Sequence, residues 1–236
     1  MPAKKKNLSL KAYSIIKQEI VTLKLPPGSY LDKEKIQEHL KIGLTPVREA
    51  LLRLEAENLV TSFVNKGFYV KDLNIQSIKD LIENRMHLER YVGFLAIQRI
   101  NEKDIEKLEK ITHEMNDSAE SGDEYGLVMK DREFHMLLVK STKNRQLETI
   151  MNLIYNESLR IWFISHYEDL AETIKMHSKT VDVLKSGDWI LLEEDIIYHN
   201  RVFQKRVRNY FQKILSTDNG QERDLKVDFS INNVWP

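Results

Sequence analysis

The densest grouping of chemically capable residues is Asp131-Arg-Glu-Phe-His135, a carboxylate and an imidazole four positions apart. On a helix, positions i and i+4 share a face, and such a pair can chelate a first-row divalent metal. His177 and His199 lie on either side of Ser186-Gly187-Asp188, nine residues before Ser186 and eleven after Asp188. If that break turns a helical hairpin, a rise of about 1.5 Å per residue brings the two to similar heights. Both can then face Asp131 and His135. A lone histidine is more often a surface or satisfied core residue than a ligand, so the pattern by itself leaves the site open. His39, His87 and His113 are expected to be of that ordinary kind.

A second grouping sits near the N-terminus. Thr45-Pro46 opens an amphipathic run through Val47, Ala50, Leu51 and Leu54, and Thr45, Arg48, Leu52 and Arg53 fall on its other side. Thr45 is expected to cap the helix with Pro46 first inside it, where a missing N–H costs nothing. A recognition helix reads base edges with its N-terminal residues, and Arg48 could contact guanine through two hydrogen bonds. Leu59–Phe63 and Phe68–Val70 flank Asn65-Lys66-Gly67, the mark of a hairpin. Its tip, with Lys66 and Gly67, could touch a minor groove or phosphate. A three-helix module for protein contacts fits the same pattern.

Composition narrows the setting. Residues 1–70 carry 12 basic and 7 acidic residues, against 24 and 29 in the remainder. A basic head on an acidic body suggests that only the first part meets a polyanion. No cysteine is present, which excludes disulfides, thiolate zinc sites and cysteine nucleophiles. It also suits a reducing compartment, and no run approaches the ~20 apolar residues that span a bilayer. A cytoplasmic protein is expected.

The elements that must position these residues can be drawn from periodicity. Leu10, Tyr13, Ile16, Ile20 and Leu23 form the inner face of a first helix, ended by Pro26-Pro27-Gly28. Asp32 caps a short second helix carrying Ile36 and Leu40, and Asn58 takes the left-handed stop after the third. Helix, helix, turn, helix, hairpin is a winged helix-turn-helix over 10–72, preceded by a basic arm over 1–9. Proline is absent between Pro46 and Pro236, and helices are expected near 75–99, 101–120, 123–140, 144–165, 168–185 and 188–215. The chain is therefore mainly α, a winged helix-turn-helix followed by an antiparallel all-α bundle over 75–215. A tail over 216–236 carries Val227, Phe229, Ile231 and Trp235.

Leu25-Pro-Pro-Gly-Ser-Tyr-Leu31, Thr45-Pro-Val-Arg-Glu-Ala-Leu-Leu-Arg-Leu-Glu-Ala-Glu-Asn-Leu-Val60 and Lys66-Gly-Phe-Tyr-Val70 resemble the GntR-type winged helix. Ile82-Glu-Asn-Arg-Met-His-Leu-Glu89, the Asp131 to His135 run and the stretch from His177 to His199 resemble the FCD ligand-binding domain of the FadR/VanR branch. The resemblance implies a homodimer on a palindromic DNA operator, with Thr45 and Arg48 at the DNA and the Gly67 wing in the minor groove. It also implies a divalent metal, zinc or nickel, on Asp131, His135, His177 and His199. Two departures stand out. Gly43 and Leu44 replace the usual Ser-Arg, so the half-site is expected to differ, and Met176 replaces a common Glu.

Such a site leaves a coordination position for water or an effector, and a small carboxylic acid suits a cation in a partly dry cavity. Arg85, at the family's "R..LE" position, could clamp that acid, or else pair with Glu89 at i+4. Arg160 and Trp162 are further candidates to line the cavity. The expected function is a ligand-responsive transcription regulator, a repressor and not an enzyme. The alternatives are a metal-dependent enzyme using the His/Asp site and a DNA-binding protein with a purely structural metal.

Overall fold

The computed structural model describes residues 2–165 and 170–217. The expected features of the tail, Val227 through Trp235, lie outside the described residues. The described residues form two compact units, one of residues 2–77 with 156–163 and the other of 78–155 with 164–165 and 170–217.

The first unit is built from α1 (Pro2–Val21), β1 (Tyr30–Leu31), α2 (Lys33–Leu40), α3 (Leu44–Ala56), β2 (Val60–Phe63) and β3 (Gly67–Val70). Its core joins Ala12, Ile16 and Ile20 of α1 to Val47, Leu51 and Leu54 of α3 and to Phe68 of β3. Each fully buried leucine or isoleucine contributes roughly 1.5–3 kcal/mol. Leu10, expected on this inner face, is exposed, and Ala12 takes its place. The helix begins at Pro2, where a basic arm was expected. Proline suits the first turn of a helix and alanine and lysine propagate it.

Asp32 caps α2 as the sequence suggests, its side chain accepting from the backbone N–H of Glu34 and Lys35. The start of α3 differs from expectation. Gly43 is the N-cap, without a side-chain bond, so Thr45 and Pro46 both sit inside the first turn. Proline is tolerated there because the first four N–H groups of any helix lack intrahelical partners. Asn58 has φ +62° and stops the helix. The hairpin pairs Val60 with Val70 and Phe63 with Gly67. Two-residue β1 adds to its β3 edge, giving the order β1-β3-β2. So short a strand has no alternation to betray it.

The remaining helices are α4 (Ile75–Ala96), α5 (Glu102–Glu120), α6 (Glu124–Ser141), α7 (Arg145–Ile164), α8 (Leu170–Ser186) and α9 (Trp189–Thr217). Asn101 and Asp123 cap α5 and α6, each accepting from the backbone N–H three residues on. Such caps are worth about 1 kcal/mol. The turns at 121–123 and 187–188 fold α5 onto α6 and α8 onto α9. Leu108, Met115, Phe134, Val181, Leu184 and Leu192 close one core across these four helices. At Gly93 of α4 an added Cβ would meet the end of the Ile196 side chain of α9, which would have to shift. The long helices thus fix where the 131–135, 177 and 199 positions meet.

Candidate metal centre and DNA-contacting surface

Helix α6 places Asp131 and His135 on one face, α8 supplies His177 and α9 supplies His199. One nitrogen from each imidazole lies within 4.8 Å of the others. His135 Nε2 stands 3.3 Å from His177 Nε2, and Asp131 Oδ1 is 3.1 Å from His177 Nε2 and 3.9 Å from His135 Nε2. The three rings are buried. Phe134 meets the His177 ring edge-on with centroids 4.7 Å apart. His39, His87 and His113 are not part of this cluster.

The proton arrangement bears on what the cluster can hold. His177 Nδ1 lies 2.8 Å from the carbonyl of Thr173, which can only accept, so Nδ1 carries the hydrogen. In a neutral ring Nε2 is then a bare lone pair, facing a carboxylate and a second imidazole nitrogen at contact distance. Lone pairs so disposed repel unless a proton or a cation lies between them. The backbone bond is also how metal-binding histidines are commonly oriented. Three imidazoles and one carboxylate fit a first-row divalent ion.

Electrostatics favour the deprotonated donors. Burial pushes the His135 imidazole down to about 4, against the opposing pull of Asp131. Burial likewise holds His199 well below its ordinary value, helped by His177 and His135. For Asp131, burial acts to raise the pKa but is outweighed by His177 and His135, which hold the carboxylate once acid protonates them, and by the charge of Arg85, so the carboxyl stays ionised far into acid. Near-neutral pH therefore finds these donors ready for a cation.

Arg85 lies beside the cluster, but its Nε donates to Glu89 Oε1 at 2.8 Å, and its guanidinium stacks 4.3 Å from the centroid of Phe203. Asn200 Nδ2 donates to the other Glu89 oxygen at 2.6 Å. The i,i+4 ion pair is thus the arrangement present. The structure does not bring Arg160 or Trp162 to this cluster. Both fall in the first unit, where Arg160 is fully buried and donates from Nη2 to the carbonyl of Lys71. Burial lowers the Arg160 pKa to about 10 while Glu157 and Asp72 support its charge.

Three participants escaped sequence reasoning. Thr180 and Asp195 line the cavity beside His135 and His199, together with Glu89, which was read only as a partner for Arg85. Arg206 on α9 is close enough to Asp131 for the carboxylate to oppose its burial, which draws its pKa down to about 10. Asp195 was the legible one, because Asp195 to His199 repeats the spacing of Asp131 to His135. The cavity itself measures about 30 Å³, room for one or two water molecules. Any larger guest requires the lining side chains or their helices to give way.

In the first unit, Thr45, Arg48 and Leu52 are exposed on the outer side of α3, opposite Val47, Ala50, Leu51 and Leu54. Arg53 is exposed too, yet it leans over the Tyr13 ring, 3.9 Å from its centroid, with Nε 3.4 Å from Glu57 Oε1. Lys66 stands exposed at the hairpin tip. Gly67 next to it has φ +89°, and a Cβ there would lie 2.9 Å from Tyr30 Cε2. Next to them, Lys17 Nζ, Tyr13 OH and Glu57 form a half-buried knot, with Lys17 to Glu57 Oε2 at 2.7 Å and Tyr13 to Glu57 Oε1 at 2.8 Å.

An exposed recognition helix with a wing, and a helical body with a cluster of donor atoms, define the class of DNA-binding transcription regulators with a sensor domain. Residues 8–70 match the family of bacterial regulatory proteins of the gntR type, and residues 80–202, just over half of the chain, match the FCD domain. The chain belongs to the GntR-type regulators that carry a C-terminal FCD domain, and it is a regulator rather than an enzyme. It is similar to the Nta operon transcriptional regulator of Aminobacter aminovorans, 36% identical over 122 residues, a match that covers 51% of this chain and 57% of that relative. The similarity to the HTH-type transcriptional regulator LutR of Bacillus subtilis is 26% over 212 residues, covering 80% of this chain and 96% of the relative. Among solved structures, E. coli McbR/YncC has the same fold, with a TM-score of 0.71 at 20% identity, covering 88% and 98% of the two chains. Among the described residues, no helix is long and apolar enough to cross a membrane.

Proposed function

We propose that this protein is an effector-responsive repressor that binds a palindromic operator as a homodimer in the cytoplasm. In this reading a divalent cation, zinc or nickel, is held by Asp131, His135, His177 and His199. Thr45 and Arg48 read base edges, while Lys66 and the Gly67 wing grip the backbone or minor groove. The observation that carries the sensory half is the meeting of His135 Nε2, His177 Nε2 and Asp131 Oδ1 within 3.1–3.9 Å, with the His177 ring turned by Thr173 so that its lone pair faces inward.

When bound, the cation supplies positive charge in a dry cavity, which suits a small carboxylate. The chain's own residues do the rest. Arg85 offers a fork already engaged by Glu89, so an incoming acid competes with Glu89 for it. The cavity has room for only about one or two waters, so occupation must displace helices around it. A ligand shifts such an equilibrium only by its preference for one arrangement over the other. That movement is what would release the DNA-binding heads.

Thermal shift of metal-loaded and chelator-stripped protein against a panel of small carboxylic acids tests this reading, with operator binding followed by fluorescence anisotropy. A metal-dependent stabilisation accompanied by release of DNA is the expected result. DNA binding that no acid alters would leave a regulator whose metal is purely structural.

A further inference from the structure

Asp195 has no part in the four-donor site above, yet it repeats that site's design. It precedes His199 on α9 by four residues, as Asp131 precedes His135 on α6. The spacing has the same outcome in space: Asp195 Oδ2 lies 3.6 Å from His199 Nε2, against 3.9 Å for Asp131 Oδ1 and His135 Nε2. Asp195 is 1% exposed and lines the same small cavity as His135 and His199. Asp131 of α6 lies beside His135 and His177, and Asp195 of α9 lies beside His199.

Such burial is costly without strong compensation, several kcal/mol for an ionised group. What the chain itself provides is thin. Thr180 Oγ1 donates to Oδ2 at 2.6 Å, and Lys179 Nζ stands 3.4 Å from Oδ1 on a side chain that is 61% exposed. The Thr180 hydroxyl has one hydrogen, for which the Met176 carbonyl at 3.1 Å competes with Asp195 Oδ2, and His199 Nε2 stands 3.4 Å from the same hydroxyl oxygen.

Resting on the cation site proposed above, we propose that Asp195 is a fifth protein donor to the same ion, binding through its carboxylate beside His199. The ion then has three imidazoles and two carboxylates, and a divalent centre is electrically neutral. In an octahedral shell one position remains where the four-donor set would leave two. An acid effector therefore attaches through a single oxygen, and 2-hydroxy acids able to chelate gain nothing over simple carboxylates.

The test uses the full chain loaded with zinc or cobalt. In a crystal structure of the zinc-loaded protein an Asp195 oxygen should lie about 2.0–2.2 Å from the ion. A carboxylate beyond about 3 Å, or separated from the ion by water, overturns the proposal. In solution, Asp195→Asn should weaken metal affinity by roughly 10–100-fold or more in chelator competition. The visible absorption of the cobalt form should rise as the coordination number drops, with an unchanged circular dichroism spectrum. If the variant misfolds, the crystal structure of the unaltered protein decides. Should Asp131→Asn and His177→Ala abolish metal uptake while Asp195→Asn keeps both affinity and cobalt spectrum, the four-donor site stands and the fifth donor falls. A wild-type chain that takes up neither metal overturns both.

Discussion

Acidification of the metal-stripped protein should unfold it by a route that the buried imidazoles dictate. His135 titrates at about 4 in the folded chain, against an ordinary value of 6.5, chiefly because burial penalises its charged form. The unfolded chain therefore binds this proton first. Stability is fully present above pH 6.5, falls as pH drops towards 4, and levels off below that for this group. The difference of about 2.5 units at 1.36 kcal/mol each amounts to about 3 kcal/mol. His199 is shifted in the same direction and steepens the loss. Asp131 acts in a lower window. Its folded pKa lies below its ordinary 3.8, so its contribution persists above that value and is lost as pH falls beneath it. Urea unfolding of chelator-treated protein, followed by far-UV circular dichroism from pH 7.5 to 4.5, measures the first window. The expected result is a falling midpoint that His135→Asn makes shallower. A stability that stays flat across this range, or falls equally in the variant, would refute the assignment of buried neutral imidazoles.

Three further outcomes are expected. Arg48→Ala should cost about 1–3 kcal/mol of sequence discrimination while leaving weak, salt-sensitive binding; anisotropy with operator and scrambled duplexes reads the difference, and unchanged discrimination would remove Arg48 from the DNA. Arg85→Ala leaves the buried Glu89 with Asn200 but no cation, so stability should drop by roughly 3–5 kcal/mol with metal content retained. An unaltered melting temperature contradicts that pairing. Gly67→Ala must adopt φ +89° and press on Tyr30, a strain of about 1–2 kcal/mol or more. Calorimetry should show a lower melting temperature, and wild-type stability would mean that the wing relaxes freely.

Much of this was open to reading before any coordinates. The β-prone runs on either side of Asn65-Lys66-Gly67, and the 3.6-residue rhythm after Ile75, are signals that packing reinforces, so those elements appear within a few residues of their expected ends. Local capping was less secure. Thr45-Pro46 looks like a start, yet Gly43 begins the helix, since any of the first-turn positions accepts a proline. Which way a helix faces along its whole length was hardest. Arg160 and His135 both lie on long helices, but α7 is divided between the two units along its length, and the stretch 156–163 bearing Arg160 belongs to the first. The Arg85–Glu89 pair was foreseeable from spacing as one of two outcomes. Asp195 was overlooked because an aspartate reads as solvated surface until burial is known.

The hollow beside His135 and His199, with space for one or two water molecules, has a thermodynamic corollary. A guest of several heavy atoms can enter only the fraction of molecules whose helices have already parted, so its apparent affinity is diluted by that fraction. Trimming a wall residue such as Leu138 to alanine would make the accommodating form commonplace. On the effector-responsive reading proposed above, such a variant would respond to a small carboxylic acid at lower doses and would release DNA more readily without one.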